Sequence, residues 1–146
     1  MRTARAFADS SAWVIAAAAA LFFAGYCGPV SSDEIKVVLS GGQEIPPVTT
    51  SGSGVATISV GADQSVRGSV TVTGMSPTVA HIHMAPAGTS GPIVIPLVQT
   101  ADNVWSIPEG AKLTDAQYET YKAGNLYYNV HSAAYKGGEI RGQIKP

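Results

Sequence analysis

The sequence predicts an all-β protein, an immunoglobulin-like Greek-key β-sandwich that carries one short helix before its penultimate strand. After residue 32, hydrophobic residues mostly alternate with polar ones, as they do in strands that bury one face. Glycine and proline clusters separate these stretches at short intervals, and short strands between turns are typical of sandwiches and barrels. No linker or long repeat divides residues 33–146, so we expect one domain there.

Seven strands are predicted along this domain. The first three are rich in β-branched residues, and residues 61–64 between the second and the third are typical of a hairpin connection. Pro46 and Pro47 indicate a loop after the first strand, because proline cannot donate to a central ladder. The predicted strands span residues 35–40, 55–60, 65–73, 79–84, 93–98, 126–131 and 139–144.

Residues 113–124 depart from the alternation and predict a short helix. Thr114 is a suitable N-cap, and Gln117 three residues later completes a capping box. Gly124 supplies the left-handed conformation that often ends a helix. This helix precedes the penultimate predicted strand.

Residues 1–32 have the features of an export signal. Arg2 and Arg5 precede an uncharged apolar block at residues 12–24. As a helix this block rises only about 20 Å, which is too short for the ~30 Å hydrocarbon core and matches a signal peptide. An uncleaved membrane anchor and a lipoprotein signal with lipid on Cys27 are the alternatives. We therefore expect the domain to be exported, to the periplasm or the extracellular space, with membrane contact only through this segment.

The composition excludes several classes of protein. Nine Lys and Arg face ten Asp and Glu, whereas a chain that binds nucleic acid has a basic footprint. The single cysteine, Cys27, excludes an intramolecular disulfide framework and a zinc cage of several cysteines. Phosphate-binding and dinucleotide-binding glycine motifs are absent, as is a serine nucleophile elbow. Histidine is the residue type with the clearest functional pattern.

The three histidines of the chain lie on two predicted strands. His81 and His83 are two residues apart, so both face one side of a strand while Ile82 points into the apolar layer. His131 ends the other strand, next to Val130. If the two strands are neighbours, the three imidazoles face one point, and three nitrogen ligands on a sheet suit copper or zinc.

Three further residues are candidates for roles around this site. Met84 follows His83, and a bend before Pro86 would bring its thioether towards the histidines and favour Cu(I). The alternative for Met84 is a place in the core or at its rim. Glu139 and Arg141 are two apart on the last strand and are candidates for an exposed ion pair, with Glu139 also a candidate hydrogen-bond partner for a histidine.

Four ordered motifs resemble the CHRD domain, the module first described in chordin. Residues 39–48 resemble its opening, residues 80–83 its central motif, and residues 126–132 and 138–144 its closing motifs. The resemblance covers about residues 35–145 and implies an extracellular or small exported bacterial protein without a defined reaction. The His-X-His strand also resembles, as a structural analogy, the copper site of copper–zinc superoxide dismutase. This chain lacks that enzyme's disulfide cysteines, and three histidines are too few for its bridged copper–zinc site.

The leading hypothesis is therefore an exported protein that binds copper, with zinc as the alternative ion, through His81, His83 and His131. A second hypothesis is a metal-free structural or protein-interaction module of the cell envelope, whose histidines hydrogen-bond loop backbones. A redox metalloenzyme ranks third, because no candidate general base adjoins the histidines in sequence. A metal ion is the expected partner in the first case and an envelope protein in the second.

Overall fold

The structure is a computed structural model that describes residues 33–146. The predicted signal segment and Cys27 lie outside these residues. Nine strands and one α-helix make up the described part, which confirms the all-β fold class. No helix within residues 33–146 is long and apolar enough to cross a membrane. The elements are β1 Ile35–Ser40, β2 Ser53–Val60, β3 Val66–Thr73, β4 Pro77–Met84, β5 Ile93–Pro96, β6 Val98–Ala101, β7 Val104–Ser106, α1 Asp115–Lys122, β8 Leu126–Ser132 and β9 Ile140–Ile144.

The strands form one antiparallel sheet that closes nearly completely into a sandwich. Its order is β5-β4-β8-β9-β1-β2-β3-β7-β6. The strands β1 and β9 are paired through Ser40 and Arg141. The two edge strands β5 and β6 are separated in the chain only by Leu97, whose amide donates to Ala80 O at 3.0 Å. The pairing of β4 with β8 joins strands far apart in the chain, as Greek-key connections do.

The alternating pattern of the sequence determines which side chains enter the core. On β1, Val37 and Leu39 are buried while Val38 between them is 61% exposed. The same period of two buries Ile82 on β4 and Val130 on β8, which are both fully buried. Burial of these apolar faces is the main favourable contribution to folding. The histidines next to Ile82 and Val130 consequently face away from the core.

The structure has nine strands, two more than the seven that the sequence predicted. The predicted strand at residues 93–98 is divided. β5 ends at Pro96, which has no N–H for the ladder, and the chain passes through buried Leu97 into β6. A turn at Asn103, with φ of 58°, then leads into the three-residue β7. Strands this short carry too few residues for a periodic signal.

The predicted helix is confirmed as α1. The Thr114 hydroxyl accepts from the amide of Gln117 at 3.3 Å, and the Gln117 side chain accepts from the amide of Thr114 at 2.9 Å, so the capping box is complete. Gly124 has φ of 73° just after the helix. Tyr121 is buried against the core, and the helix leads directly into β8, which carries the third histidine.

Candidate metal centre

The three histidines lie on adjacent strands. β4 pairs with β8 in a register that places Val79 opposite His131, His81 opposite Asn129 and His83 opposite Tyr127. Residues two apart on β4 or on β8 share a face. The sheet therefore confirms the expected neighbourhood of the two histidine strands.

The imidazoles are close enough to share one ion. Each histidine contributes one ring nitrogen to a set of three, and these three nitrogens all lie within 4.8 Å of one another. The Nδ1 atom of His81 is 3.2 Å from Nε2 of His131, and two nitrogens bound tetrahedrally at about 2.0–2.1 Å are about 3.3–3.4 Å apart. In residues 33–146 the three histidines are the one group of three or more His, Cys, Asp or Glu side chains with such spacing.

Hydrogen bonds to backbone carbonyls show which nitrogen carries the hydrogen on two of the rings. His83 Nδ1 is 2.9 Å from Gly91 O, and His131 Nδ1 is 2.9 Å from Lys136 O. Since a carbonyl oxygen only accepts, both Nδ1 atoms carry the hydrogen and donate. In the neutral rings Nε2 then carries the lone pair. The Nε2 atom of His83 is buried and has no hydrogen-bond partner among the described residues.

The surroundings favour neutral imidazoles. Burial lowers the pKa of His81 below its usual value of 6.5, and the neighbouring His131 and His83 lower it further. Burial also lowers the pKa of His83, against the opposing effect of its bond to Gly91, and His131 and Arg141 add to the lowering. A neutral imidazole offers a lone pair to a metal ion, whereas an imidazolium does not.

Three residues to which the sequence assigned no role at His83 support its ring. Tyr127 stacks on its ring, with centroids 5.0 Å apart and planes 11° from parallel. The guanidinium of Arg141 lies over Tyr127, 3.5 Å from the ring centroid. Gly91 provides the carbonyl that accepts from His83 and donates its own N–H to the Tyr127 hydroxyl at 3.2 Å. Tyr127 is four residues before His131 on β8, so the two side chains share a face of the strand. This spacing was the signal available in the sequence.

The interpretation of Glu139 and Arg141 as an exposed pair is wrong. Both residues are buried, with 6% and 2% of their surface exposed. Arg141 donates to Thr89 O at 2.7 Å, and Glu139 accepts from the hydroxyl of Thr50 rather than from a histidine. Loops cover this part of the sheet, and strand alternation gives no information about what a loop covers.

Met84 contacts the hydrophobic core and is partly buried there. This position agrees with the core alternative for the residue. Ser132, which follows His131, is buried, and its hydroxyl accepts from the amide of Tyr135 at 3.2 Å. A Ser–His dyad between these neighbours is not expected, because adjacent strand residues point to opposite faces.

Comparison with known families identifies the domain. The family model described as the CHRD domain matches residues 35–144, which include every strand of the sheet. The chain belongs to the CHRD domain family. The match also includes the three histidines and the residues that support His83. The chain has no match among the curated proteins or among the solved structures.

Proposed function

We propose that this CHRD-domain protein is exported and binds one copper ion through His81, His83 and His131. The ion would lie on the outer face of the β4–β8 pair, away from the core. The export part of the proposal is supported by the charged and apolar pattern of residues 1–32.

The observation that carries the proposal is the buried Nε2 atom of His83. A buried polar atom without a partner is unfavourable by about 1–3 kcal/mol, yet this one is buried and lacks a partner among residues 33–146. Burial lowers the pKa of His83, and in the neutral ring the lone pair lies on the nitrogen that does not bind Gly91 O. An ion at this atom would satisfy it, and the two other histidines are within reach.

The hydrogen bonds also define the donor set of the proposed site. His83 and His131 would bind through Nε2, since their Nδ1 atoms donate to carbonyls. His131 Nε2 accepts from His81 Nδ1 when no ion is bound, at 3.2 Å. An ion held between these two nitrogens would take the place of that proton, and His81 would stay neutral with its hydrogen on Nε2. Binding of the ion therefore changes the tautomer of His81 and leaves those of the other two rings unchanged.

Copper is favoured over zinc by the chemistry of the ligands. Imidazoles bind both ions, and for the same ligands Cu²⁺ ranks above Zn²⁺ in the general order of divalent affinities. The sheet and the carbonyl hydrogen bonds hold the ligand rings in defined orientations, which lowers the entropy lost on binding. Zinc is the alternative ion.

Isothermal titration of the described domain with Cu(II), Cu(I) and Zn(II) tests the proposal. We expect one ion per chain, and we expect His83→Ala to weaken copper binding by about 100-fold or more, since even residues behind the ligands account for about 10–100-fold. Lys136→Ala is the matched control, because it removes an exposed side chain next to the site and keeps the carbonyl that orients His131.

Equal binding of copper by the wild type and by His83→Ala would overturn the site. The histidines would then serve only as hydrogen-bond donors to Gly91 and Lys136, as expected of a metal-free module of the cell envelope. Export is tested separately, by fractionation of cells that make the chain with and without residues 1–32. Retention of both forms in the cytoplasm would contradict the export part.

A further inference from the structure

A row of three stacked side chains extends from His83 across the sheet. Tyr127 on β8 stacks on His83 of β4, and Arg141 of β9 places its guanidinium on the Tyr127 ring. Since β8 lies between β4 and β9, the row follows the order of the strands. Imidazole, phenol and guanidinium are thus layered beside the candidate metal centre, although neither Tyr127 nor Arg141 offers a ligand to it.

The same residues hold the loop that orients His83. Arg141 donates to Thr89 O at 2.7 Å and to Pro86 O at 3.3 Å, both in the segment between β4 and β5. The hydroxyl of Tyr127 accepts from the amide of Gly91 at 3.2 Å. Gly91 O in turn accepts from Nδ1 of His83. The ring plane of His83 and the carbonyl that selects its tautomer are therefore both held by the Tyr127–Arg141 pair.

Arg141 is buried although its side chain carries a charge. It is 2% exposed, and it forms no salt bridge with an acidic residue of the described range. Burial raises the pKa of the Glu44 carboxyl and the charge of Arg141 opposes this, so a buried acidic group lies within electrostatic reach of the guanidinium although the two form no direct ion pair. Its contacts are the two loop carbonyls, the side chain of Gln143 at 3.1 Å and the Tyr127 ring. The two loop carbonyls and the Tyr127 ring connect Arg141 to the groups that orient His83.

We propose that Tyr127 and Arg141 are positioning residues of the copper site, which hold His83 in one tautomer with its Nε2 lone pair directed at the ion. The copper part of this inference rests on the proposed function. His131 provides an internal comparison, because its Nδ1 donates to Lys136 O in a different loop. Loss of the stacked row should therefore affect His83 and leave His131 unchanged, whereas general destabilisation affects both.

The first measurement uses the metal-free protein. Nitrogen-15 NMR of the imidazoles reports which nitrogen of each ring carries the hydrogen. We expect the wild type to show the Nδ1–H form for both His83 and His131. Arg141→Gln should give a mixture of the two tautomers at His83 alone. Tyr127→Phe, which removes a single hydroxyl and keeps the stacked ring, should give a smaller change of the same kind.

The second measurement uses the copper-loaded protein. We expect Arg141→Gln to weaken copper binding by about 10–100-fold, as residues behind metal ligands do, and to change the Cu(II) electron paramagnetic resonance spectrum. Lys122→Gln is the matched control, because it removes a cation that lies 5.0 Å over the ring of Tyr118 on α1, away from the histidines. It should leave the affinity, the spectrum and the tautomers unchanged.

The proposal is overturned if folded Arg141→Gln and Tyr127→Phe both keep the wild-type tautomer of His83. Thermal unfolding shows whether each variant is folded, and Tyr127→Phe decides the matter if Arg141→Gln does not fold. A wild type that binds no copper would refute the proposed function. The tautomer measurement would still decide whether Tyr127 and Arg141 position His83, so the two failures are distinguishable.

Discussion

Substitution of Gly91 by alanine should weaken metal binding although no histidine is replaced. A Cβ atom at this position would lie 1.9 Å from Met84 O and 3.0 Å from the Cβ of Ala85. Real Cβ atoms essentially never approach another atom closer than 3.0 Å, so the Met84 contact must open by at least 1.1 Å, the difference of the two distances. The obstacle is backbone of β4, which cannot turn aside as a flexible side chain would.

The displacement is large enough to break the bond to His83. The distance from His83 Nδ1 to Gly91 O is 2.9 Å, and a movement of 1.1 Å directed away from the ring would lengthen it to about 4.0 Å. This is beyond the range of a hydrogen bond. We expect copper affinity to fall by about 10–100-fold, as it does when other residues that orient a metal ligand are replaced. The free energy of unfolding should fall by about 1–3 kcal/mol, as for overpacked sites.

Gly137→Ala provides the matched control. A Cβ at Gly137 meets no atom within 4 Å, and the residue lies next to Lys136, whose carbonyl orients His131. This variant should keep the copper affinity of the wild type. Isothermal titration and thermal unfolding give both quantities. If Gly91→Ala binds copper as tightly as the wild type does, or keeps His83 in the Nδ1–H form, the assigned role of the Gly91 carbonyl is wrong.

Three more predictions concern pH, a buried hydroxyl and the helix cap. The pKa values of His81 and His83 are lower in the folded chain than the usual 6.5, so the unfolded chain binds more protons below that pH. The free energy of unfolding of the metal-free domain should therefore decrease as the pH falls below about 6.5 and stay level just above it; a stability that rises on acidification would contradict the shifts. Tyr128→Phe removes a donor to Thr57 O at 2.9 Å on the core side of β8 and should lower stability by about 1 kcal/mol while copper affinity stays constant. A changed affinity would show that the two faces of β8 are coupled. Thr114→Ala removes the side-chain half of the capping box and should cost about 1 kcal/mol in chemical denaturation. Thr78→Ala, on an exposed strand position where the hydroxyl makes one long hydrogen bond of 3.4 Å to His131 O, should cost less.

Much of the fold could be predicted because it depends on local patterns. The alternation at Val37 and Leu39, and around Ile82 and Val130, identifies the buried face of each strand. The capping box of Thr114 identifies the helix. The short strands β6 and β7 were missed, since their pairing is decided by a turn at Asn103 and by the neighbour β3 and not by their own residues.

The candidate site was predictable to the extent that it depends on spacing along strands. His81 and His83 share a face because they are two apart on one strand, and this follows from the sequence alone. Their approach to His131 depends on the pairing of β4 with β8, which are more than 40 residues apart in the chain. Nothing in the local pattern of either strand specifies that register.

The sequence by itself determined the fold class, the helix, the family and the set of candidate ligands, because each depends on residue types at short, regular spacings. Only the tertiary structure decided that the three imidazoles meet, which nitrogen of His83 is free, and that Tyr127 and Arg141 stand behind it. These features depend on which loops cover the sheet and on contacts between distant strands. Burial converts Arg141, which looks like a surface charge in the sequence, into part of the support of a histidine.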